Sequence, residues 1–228
     1  LIQGLLVADL ATTAPNADVA VCPPCVFLAD VADALQGSAI AVGTQDISAQ
    51  TQGAYTGEVA GPMIREFGAT YAIVGHSERR SYHAESDQLV ADKAKAALSH
   101  GLVPIVCVGE TLAEREANQT EAVVGRQLQA VIDTLGDDIA RVVVAYEPVW
   151  AIGTGKTASP AQAQAVHASL RAQLAKATPK AADIPLLYGG SVKPDNAVEL
   201  FSQPDINGGL IGGAALKAAD FAAIARAA

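Results

Sequence analysis

The sequence predicts a parallel α/β protein, and within that class a (β/α)8 barrel. Short apolar runs rich in Val and Ile alternate along the chain with alanine-rich amphipathic segments, the pattern of a parallel sheet whose strands are joined by helices. Seven such strands follow an opening segment, within 1–10, that has helical spacing. We therefore expect an eighth strand to precede this segment, so that the first β-strand of the barrel is missing from the sequence.

Polar and glycine-rich clusters help to choose between two parallel architectures. They follow six of the predicted strands, as Gln45-Asp46, Gly75-His76-Ser77-Glu78, Gly109-Glu110, Glu147-Pro148, Gly189-Gly190-Ser191 and Gly212-Gly213. A barrel gathers the carboxyl ends of all its strands around one mouth, whereas an open doubly wound sheet does not. The barrel is favoured, and the open doubly wound sheet is the alternative.

The individual elements follow from local patterns. β-branched apolar runs predict strands at 19–22, 40–44, 71–74, 103–108, 141–146, 186–188 and 209–211. Apolar residues at helical spacing predict helices within 1–10 and at 26–36, 62–67, 85–100, 120–134, 160–177, 194–201 and 219–227. Neither a linker nor a repeat interrupts this alternation, so we expect a single barrel domain over 1–228.

Charge and composition argue against several kinds of partner. The 228 residues carry 15 Lys and Arg against 24 Asp and Glu, a net charge of −9 without a basic cluster. Nucleic acid and anionic membranes are therefore not expected as partners. The apolar runs are far shorter than a membrane span, and no secretory pattern opens the chain, so we expect a cytoplasmic protein.

The three cysteines do not indicate a disulfide framework. Cys22 and Cys25 have the C-x-x-C spacing of dithiol redox sites, which would require a lowered thiol pKa at a helix start. The two prolines between them also suit a plain corner between a strand and a helix, and we favour that interpretation. Cys107 lies inside a predicted strand and is expected to be a small buried apolar residue.

A carboxylate and a loop come together in the segment 142–157. The β-branched start of this segment predicts a strand buried on both faces, and Glu147 stands at its carboxyl end. The following loop carries Trp150 and Ile152 and then two glycines, so large apolar side chains are combined with freely pivoting positions. We expect a mobile cover over a pocket that contains Glu147. A surface loop with a solvated carboxylate is the alternative.

His76 lies between a predicted strand end and the first turn of a helix. The positive potential of a helix N-terminus disfavours imidazolium, so we expect a neutral ring that can polarise a carbonyl group. A histidine that is merely hydrogen-bonded in a turn is the alternative. The other three histidines fall in helical segments and are expected at the surface: His83, His100 and His167.

Small residues follow the last two predicted strands, at 189–191 and 212–213. Glycine lets a ligand approach the main chain, whose N–H groups can bind a phosphate dianion.

The run Gly155-Lys156-Thr157 does not form a Walker A loop, because Trp150 stands where that motif needs glycine. No set of His, Asp and Glu residues has the spacing of metal ligands, so no metal is predicted.

Five motifs resemble those of the triosephosphate isomerase family. They are GHSERR at 75–80, VGETLAERE at 108–116, AYEPVWAIGTGKTASP at 145–160, YGGSVKPDN at 188–196 and GGLIGGAAL at 208–216. The motifs are long and specific, and the similarity extends from about Leu1 to the C-terminus. The resemblance implies the TIM barrel fold and a glycolytic and gluconeogenic isomerase that interconverts dihydroxyacetone phosphate and glyceraldehyde 3-phosphate without a cofactor.

The resemblance also implies roles for individual residues. Glu147 would move a proton between two substrate carbons through an enediolate, and neutral His76 would donate hydrogen bonds to the substrate oxygens. The phosphate would be held by main-chain N–H groups of Gly153, Ser191, Gly212 and Gly213. The loop 148–157 would close over the substrate, and the positions behind the site would be Ser77, Glu78, Glu110 and Arg115. Family members are usually homodimers, which implies that the loop Gln45–Glu58, with Tyr55-Thr56 near its tip, inserts into a partner.

One departure from the family pattern concerns the first strand. In the family this strand ends in an asparagine and a lysine that contact substrate, and the present sequence begins after that point. We therefore expect the natural protein to have further N-terminal residues. The competing interpretations are an impaired fragment that still binds phosphate esters, an aldolase with a Schiff-base lysine, and a dithiol oxidoreductase.

Overall fold

The computed structural model describes residues 1–152 and 157–228 and contains one parallel sheet. Its seven strands lie in sequence order: β1 (Ala20–Val21), β2 (Ala41–Thr44), β3 (Tyr71–Val74), β4 (Val103–Val108), β5 (Val143–Tyr146), β6 (Leu186–Tyr188) and β7 (Gly208–Gly209). Each strand pairs in parallel with the next, so their carboxyl ends lie at one edge. This sequential parallel order confirms the predicted TIM barrel class, with β1 and β7 at the two ends of the sheet.

Helices connect the strands and pack against the outer face of the sheet. They are α1 (Ile2–Val7), α2 (Leu10–Thr13), α3 (Leu28–Leu35), α4 (Gly61–Arg65), α5 (Ser77–Tyr82), α6 (Asp87–Ser99), α7 (Leu112–Glu116), α8 (Thr120–Leu135), α9 (Pro160–Ala177), α10 (Ala197–Phe201) and α11 (Ala218–Ala225). Short 3-10 turns occur at Cys25–Phe27, Gly136–Arg141, Val149–Ala151, Ala181–Asp183 and Gly213–Leu216. α9 begins sharply because Ser159 and Gln162 form a capping box around Pro160.

Successive side chains on each strand point to opposite faces of the sheet, and each face has its own apolar core. On β4, Ile105 and Cys107 point into the barrel, where they pack with inward residues of β3 and β5. Val106 and Val108 point outward and belong to the larger core beneath the helices. Both layers are apolar, which explains why the strands are continuous apolar runs rather than alternating ones.

One predicted location is wrong. His167 was expected at the surface, but its side chain is fully buried on α9, with Nδ1 2.8 Å from the carbonyl oxygen of Ala163 and its ring edge-on to Tyr146 at 5.7 Å. Burial lowers the pKa of this imidazole. The buried face of α9 has helical spacing, Ala163, Val166, His167, Leu170 and Leu174, so the pattern that marks this face includes the histidine.

A cavity of about 1740 Å³ extends from the carboxyl ends of the strands into the space between β1 and β7. Its lower part is lined by the inward side chains Ile73, Ile105 and Val143, and its upper part by His76 and Glu147. The mouth predicted from strand-end residues is therefore a real cavity.

Among the helices of the described residues, none has the length and hydropathy to cross a membrane.

Candidate active site

Glu147 is delivered to the cavity by β5, all four residues of which are buried. Its main-chain N–H donates to the carbonyl oxygen of Val108 at 2.8 Å, so Glu147 extends the pairing of β5 with β4. The side chain is only 2% exposed, yet it lines the cavity. A carboxylate this buried requires hydrogen-bond donors, and Ser77 supplies two: its N–H donates to Oε2 at 3.0 Å, and its hydroxyl donates to Oε1 at 3.3 Å.

His76 is placed by the turn from β3 into α5. Gly75 makes this turn with a φ of +70°, and a Cβ atom there would lie 2.5 Å from the side chain of Val90, so glycine is required. His76 then caps α5, since its Nδ1 accepts a hydrogen bond from the N–H of Glu78 at 3.3 Å. Its Nε2 lies 2.9 Å from Oε1 of Glu147. The imidazole and the carboxylate predicted from two separate strand ends are thus in direct contact.

Opposing effects determine the protonation of His76. Burial lowers its pKa, but the hydrogen bond to Glu147 and the negative charges of Glu147 and Glu78 raise it, and the resulting pKa lies above the ordinary 6.5. The sequence-based expectation of a neutral ring considered only the helix start. The Glu78 N–H donates to Nδ1 and so favours a neutral ring, because the imidazolium form would require Nδ1 to carry a proton of its own. In the neutral ring, the Glu78 contact makes Nε2 the nitrogen that carries the proton and donates to Glu147.

The residues predicted to hold a phosphate group lie around the same cavity. Ser191, Gly212 and Gly213 all line it, together with His76 and Glu147. Within residues 1–152 and 157–228, the main-chain N–H groups of these three residues meet no hydrogen-bond acceptor. Gly212 and Gly213 are exposed, and the space where their Cβ atoms would stand is open. The fourth predicted residue, Gly153, lies outside the described residues.

A buried carboxylate anchors the beginning of the predicted loop. Glu110 is fully buried, and its Oε1 accepts hydrogen bonds from the indole N–H of Trp150 at 2.9 Å and the hydroxyl of Tyr146 at 3.1 Å. The guanidinium of Arg115 lies 4.4 Å from the centre of the Trp150 ring. Ile152 lines the cavity, whereas residues 153–156 of the predicted cover lie outside the described part of the chain. Trp150 is therefore half-buried and is held by Glu110 and Arg115.

The cysteines do not form a reactive pair. Burial raises the pKa of the Cys22 thiol to about 12, which opposes the thiolate that a redox site needs. Cys25 is exposed at the start of the 3-10 turn Cys25–Phe27. Cys107 is fully buried as predicted, and burial together with the nearby Glu147 carboxylate keeps its pKa well above the usual range. The dithiol interpretation therefore finds no support.

Sequence reasoning missed contacts that connect distant segments. Tyr146 and Gln127 were not singled out, although Tyr146 contacts Glu110 and Gln127 contacts Gly109 beside Glu147. The tyrosine directly precedes Glu147 and could have been found from that position. Gln127 lies in the middle of α8 among other glutamines, and nothing in the local pattern distinguishes it.

The fold and these contacts define an enzyme of the (β/α)-barrel class, with a carboxylate and an imidazole in contact at the strand ends. The profile of one family, "Triosephosphate isomerase", matches residues 3–228. The triosephosphate isomerase of Cupriavidus necator is 61% identical over 224 residues, which cover 97% of this chain and 91% of that protein. That of Delftia acidovorans is 62% identical over 213 residues, covering 93% and 86%. That of Xanthomonas campestris is 57% identical over 227 residues, covering 98% and 90%. The chain belongs to the triosephosphate isomerase family, and its role is that of an isomerase.

Proposed function

We propose that the chain interconverts dihydroxyacetone phosphate and glyceraldehyde 3-phosphate through an enediolate, without a cofactor. The observation that carries this proposal is the 2.9 Å contact between Glu147 Oε1 and His76 Nε2 at the wall of the cavity. A carboxylate and an imidazole this close can both reach one three-carbon compound. The triose phosphate is the small-molecule partner that we propose.

Glu147 is the base in this proposal. Its carboxylate takes a proton from the carbon next to the substrate carbonyl, and the electrons move onto the carbonyl oxygen to give the enediolate. The hydroxyl proton on the neighbouring oxygen passes to this oxygen, the second carbonyl forms, and Glu147 returns its proton to the former carbonyl carbon. His76 Nε2–H donates a hydrogen bond to the oxygens on which the negative charge develops. Because Nε2 now contacts Glu147 directly, the carboxylate must move off the ring when a substrate oxygen takes its place.

The phosphate group is bound by main-chain N–H groups in this proposal. Three of them belong to Ser191, Gly212 and Gly213, which line the cavity after β6 and β7, and Gly153 supplies a fourth from the loop 148–157. Two or three N–H groups that converge on one point can bind a dianion even in a protein with a net charge of −9. Closure of the loop then excludes water from the enediolate.

The proposal also covers the domain, the location and the self-association of the protein. We propose a single TIM-barrel domain over 1–228 that acts in the cytoplasm and forms a homodimer through the loop Gln45–Glu58. The negative net charge supports the absence of nucleic-acid and membrane partners. The exposed Tyr55 near the tip of the loop supports the dimer.

The test is a coupled assay of glyceraldehyde 3-phosphate turnover in the Glu147→Gln variant. The amide keeps the size of the side chain but cannot accept the substrate proton, so we expect kcat to fall about 10³-fold. Glu121→Gln, at an exposed position on α8, is the matched control and should keep full activity. Turnover in Glu147→Gln close to that of the unaltered protein would refute the assigned base. Binding of a phosphate ester by the unaltered protein without turnover would favour the non-enzymatic interpretation.

A further inference from the structure

Gly109 occupies a tight position beside Glu147. The residues on either side of it, Val108 and Glu110, accept main-chain hydrogen bonds from the N–H groups of Glu147 at 2.8 Å and Val149 at 3.2 Å. A Cβ atom on Gly109 would lie 1.9 Å from the carbonyl oxygen of Glu147. The two main chains are therefore in van der Waals contact, and the placement of Gly109 fixes the placement of Glu147.

The polar main-chain groups of Gly109 are both bound by one side chain. The Gly109 N–H donates to Oε1 of Gln127 at 2.7 Å, and Nε2 of Gln127 donates to the Gly109 carbonyl oxygen at 3.1 Å. Gln127 projects from α8 and is only 6% exposed. The pairing of β3 with β4 ends at Val74 opposite Val106, before Gly109 is reached. The Gln127 amide thus takes the place of a neighbouring strand for this one residue.

We propose that Gln127 is a positioning residue for Glu147, and that it acts by clamping the peptide groups of Gly109. The inference rests on the proposed role of Glu147 as the base. With both amide contacts in place, the 108–110 segment keeps one orientation and holds the main chain of Glu147 and of Val149 through one hydrogen bond each. Without them, the Gly109 peptide groups are partly buried and unpaired, so they turn toward other partners and carry Glu147 with them.

The first test compares two glutamine-to-methionine variants on the same helix. Gln127→Met keeps the length of the side chain but removes both hydrogen bonds. A small displacement of a reacting group can reduce turnover by about two orders of magnitude, so we expect kcat to fall by about tenfold to a hundredfold. KM for glyceraldehyde 3-phosphate should change less than about twofold, because the proposed phosphate contacts come from β6 and β7. Gln129→Met is the control, since this exposed amide contacts only Asp133 and Gln173 among the described residues.

The second test separates positioning from a merely structural role. The Glu147→Asp variant shortens the side chain and so displaces the carboxylate. If Gln127 acts only by positioning Glu147, removing Gln127 should then have little further effect. We therefore expect Gln127→Met to lower kcat less than about twofold in the Glu147→Asp background. A purely structural residue would lower kcat equally in both backgrounds. All comparisons are made at a temperature where thermal unfolding shows each variant to be fully folded. If Gln127→Met does not fold, Gln127→Glu replaces it, because it keeps an acceptor for the Gly109 N–H and loses the donor.

The outcomes distinguish this inference from the proposed function. A large loss in Glu147→Gln with an unchanged kcat in Gln127→Met would overturn the positioning role alone. Equal losses of kcat from Gln127→Met in both backgrounds would also overturn it. Full activity in Glu147→Gln would overturn both proposals, because the group being positioned would not be the base. A kcat loss in Gln127→Met that is absent in Gln129→Met and shrinks in the Glu147→Asp background would support the inference.

Discussion

Gly189 shows how a single missing side chain makes room for Glu147. Its N–H donates to the carbonyl oxygen of Tyr146 at 2.7 Å, which brings the chain after β6 against the end of β5. A Cβ atom at this position would lie 2.9 Å from Cγ of Glu147 and 3.2 Å from the carbonyl oxygen of Tyr146. From the sequence, we expected this glycine to let a ligand approach the main chain. The structure shows that it is also needed for the approach of the carboxylate.

We predict that Gly189→Ala lowers turnover more than it lowers stability. The added methyl group must push Glu147 or the Tyr146 main chain by several tenths of an ångström, so kcat should fall about tenfold. Gly125→Ala on α8 is the control, because the nearest atom to its Cβ position is at an ordinary 3.5 Å. This control should raise the free energy of unfolding by up to about 1 kcal/mol, through helix propensity. Unaltered kcat in Gly189→Ala would show that Glu147 is not constrained from this side.

At the residue scale, the sequence predicted the functional groups but not the contacts that hold them. Glu147 and His76 could be identified because each directly follows a recognisable strand, and strand ends share one edge of a parallel sheet. The two hydrogen bonds from Ser77 to Glu147 span 70 residues of sequence. Such contacts depend on the relative rotation of β3 and β5, between which β4 lies, and no local pattern encodes this rotation.

Three elements are joined by a nearly buried ionic cluster. Lys93 on α6 contacts both oxygens of Asp46, which follows β2, at 2.8 Å, and Oε1 of Glu85 at 2.6 Å. Arg79 on α5 completes the cluster through Nε, at 2.9 Å from Asp46 and 2.6 Å from Glu85. Asp46 lies at the base of the loop Gln45–Glu58, and α5 begins directly after His76. The cluster therefore connects the proposed dimer loop to α5, the helix that His76 caps.

The two carboxylates of this cluster respond differently to their surroundings. Burial raises the pKa of Asp46 above its usual value, and the attraction of Lys93 and Arg79 does not compensate. Burial also opposes ionisation of Glu85, but its hydrogen bonds to Lys93 and Arg79 prevail and lower its pKa below 4.5. Ionised Glu85 therefore stabilises the folded state above pH 4.5, and this contribution disappears as the pH falls through its lowered pKa.

We predict that Glu85→Gln destabilises the protein by about 3 kcal/mol at pH 7, because the buried Lys93 and the partly buried Arg79 would then share one anion. The loss should shrink as the pH is lowered below 4.5, since Glu85 of the unaltered protein is then increasingly protonated as well. Urea unfolding at pH 7 and pH 3.5 would measure both values. Asp138→Asn, which removes an exposed pair with Arg141, should cost less than about 0.5 kcal/mol at either pH. A pH-independent loss in Glu85→Gln would contradict the ionic explanation.

At the scale of elements, some ranges were predicted residue for residue and others were not. The ranges of β3, β4, β6 and α9 agree with the sequence prediction. The opening helix was expected to be continuous within 1–10, but Asp9 adopts a left-handed conformation and divides it into α1 and α2. α7 has only five residues, too few for a visible period, although its capping box of Thr111 and Glu114 was a usable signal.

At the scale of the whole molecule, the order of the strands in the sheet could be predicted from the sequence, whereas the association of chains could not. Strict alternation of strand and helix implies sequential parallel neighbours, and all six strand pairs obey it. Self-association depends on surface chemistry that alternation does not encode. The described surface carries large apolar side chains at the cavity: Phe27 is 55% and Tyr82 is 80% exposed, and both line the cavity, as Gln45 and Asp46 do. Tyr55, near the tip of the adjoining loop, is 48% exposed. Exposed apolar groups of this kind mark contact surfaces.

We predict that the protein is a dimer and that Tyr55→Asp makes it monomeric at micromolar concentration. A buried, unpaired carboxylate at the tip of an inserted loop would oppose association strongly. Light scattering coupled to size exclusion would report the mass. Turnover should fall about tenfold in the monomer, because the loop and α5 share the Lys93 cluster and the position of His76 depends on both. Val198→Asp is the control: it places the same charge on an exposed apolar residue of α10 and should leave mass and kcat unchanged. A dimer that persists in Tyr55→Asp, or dissociates in Val198→Asp instead, would place the interface on another surface.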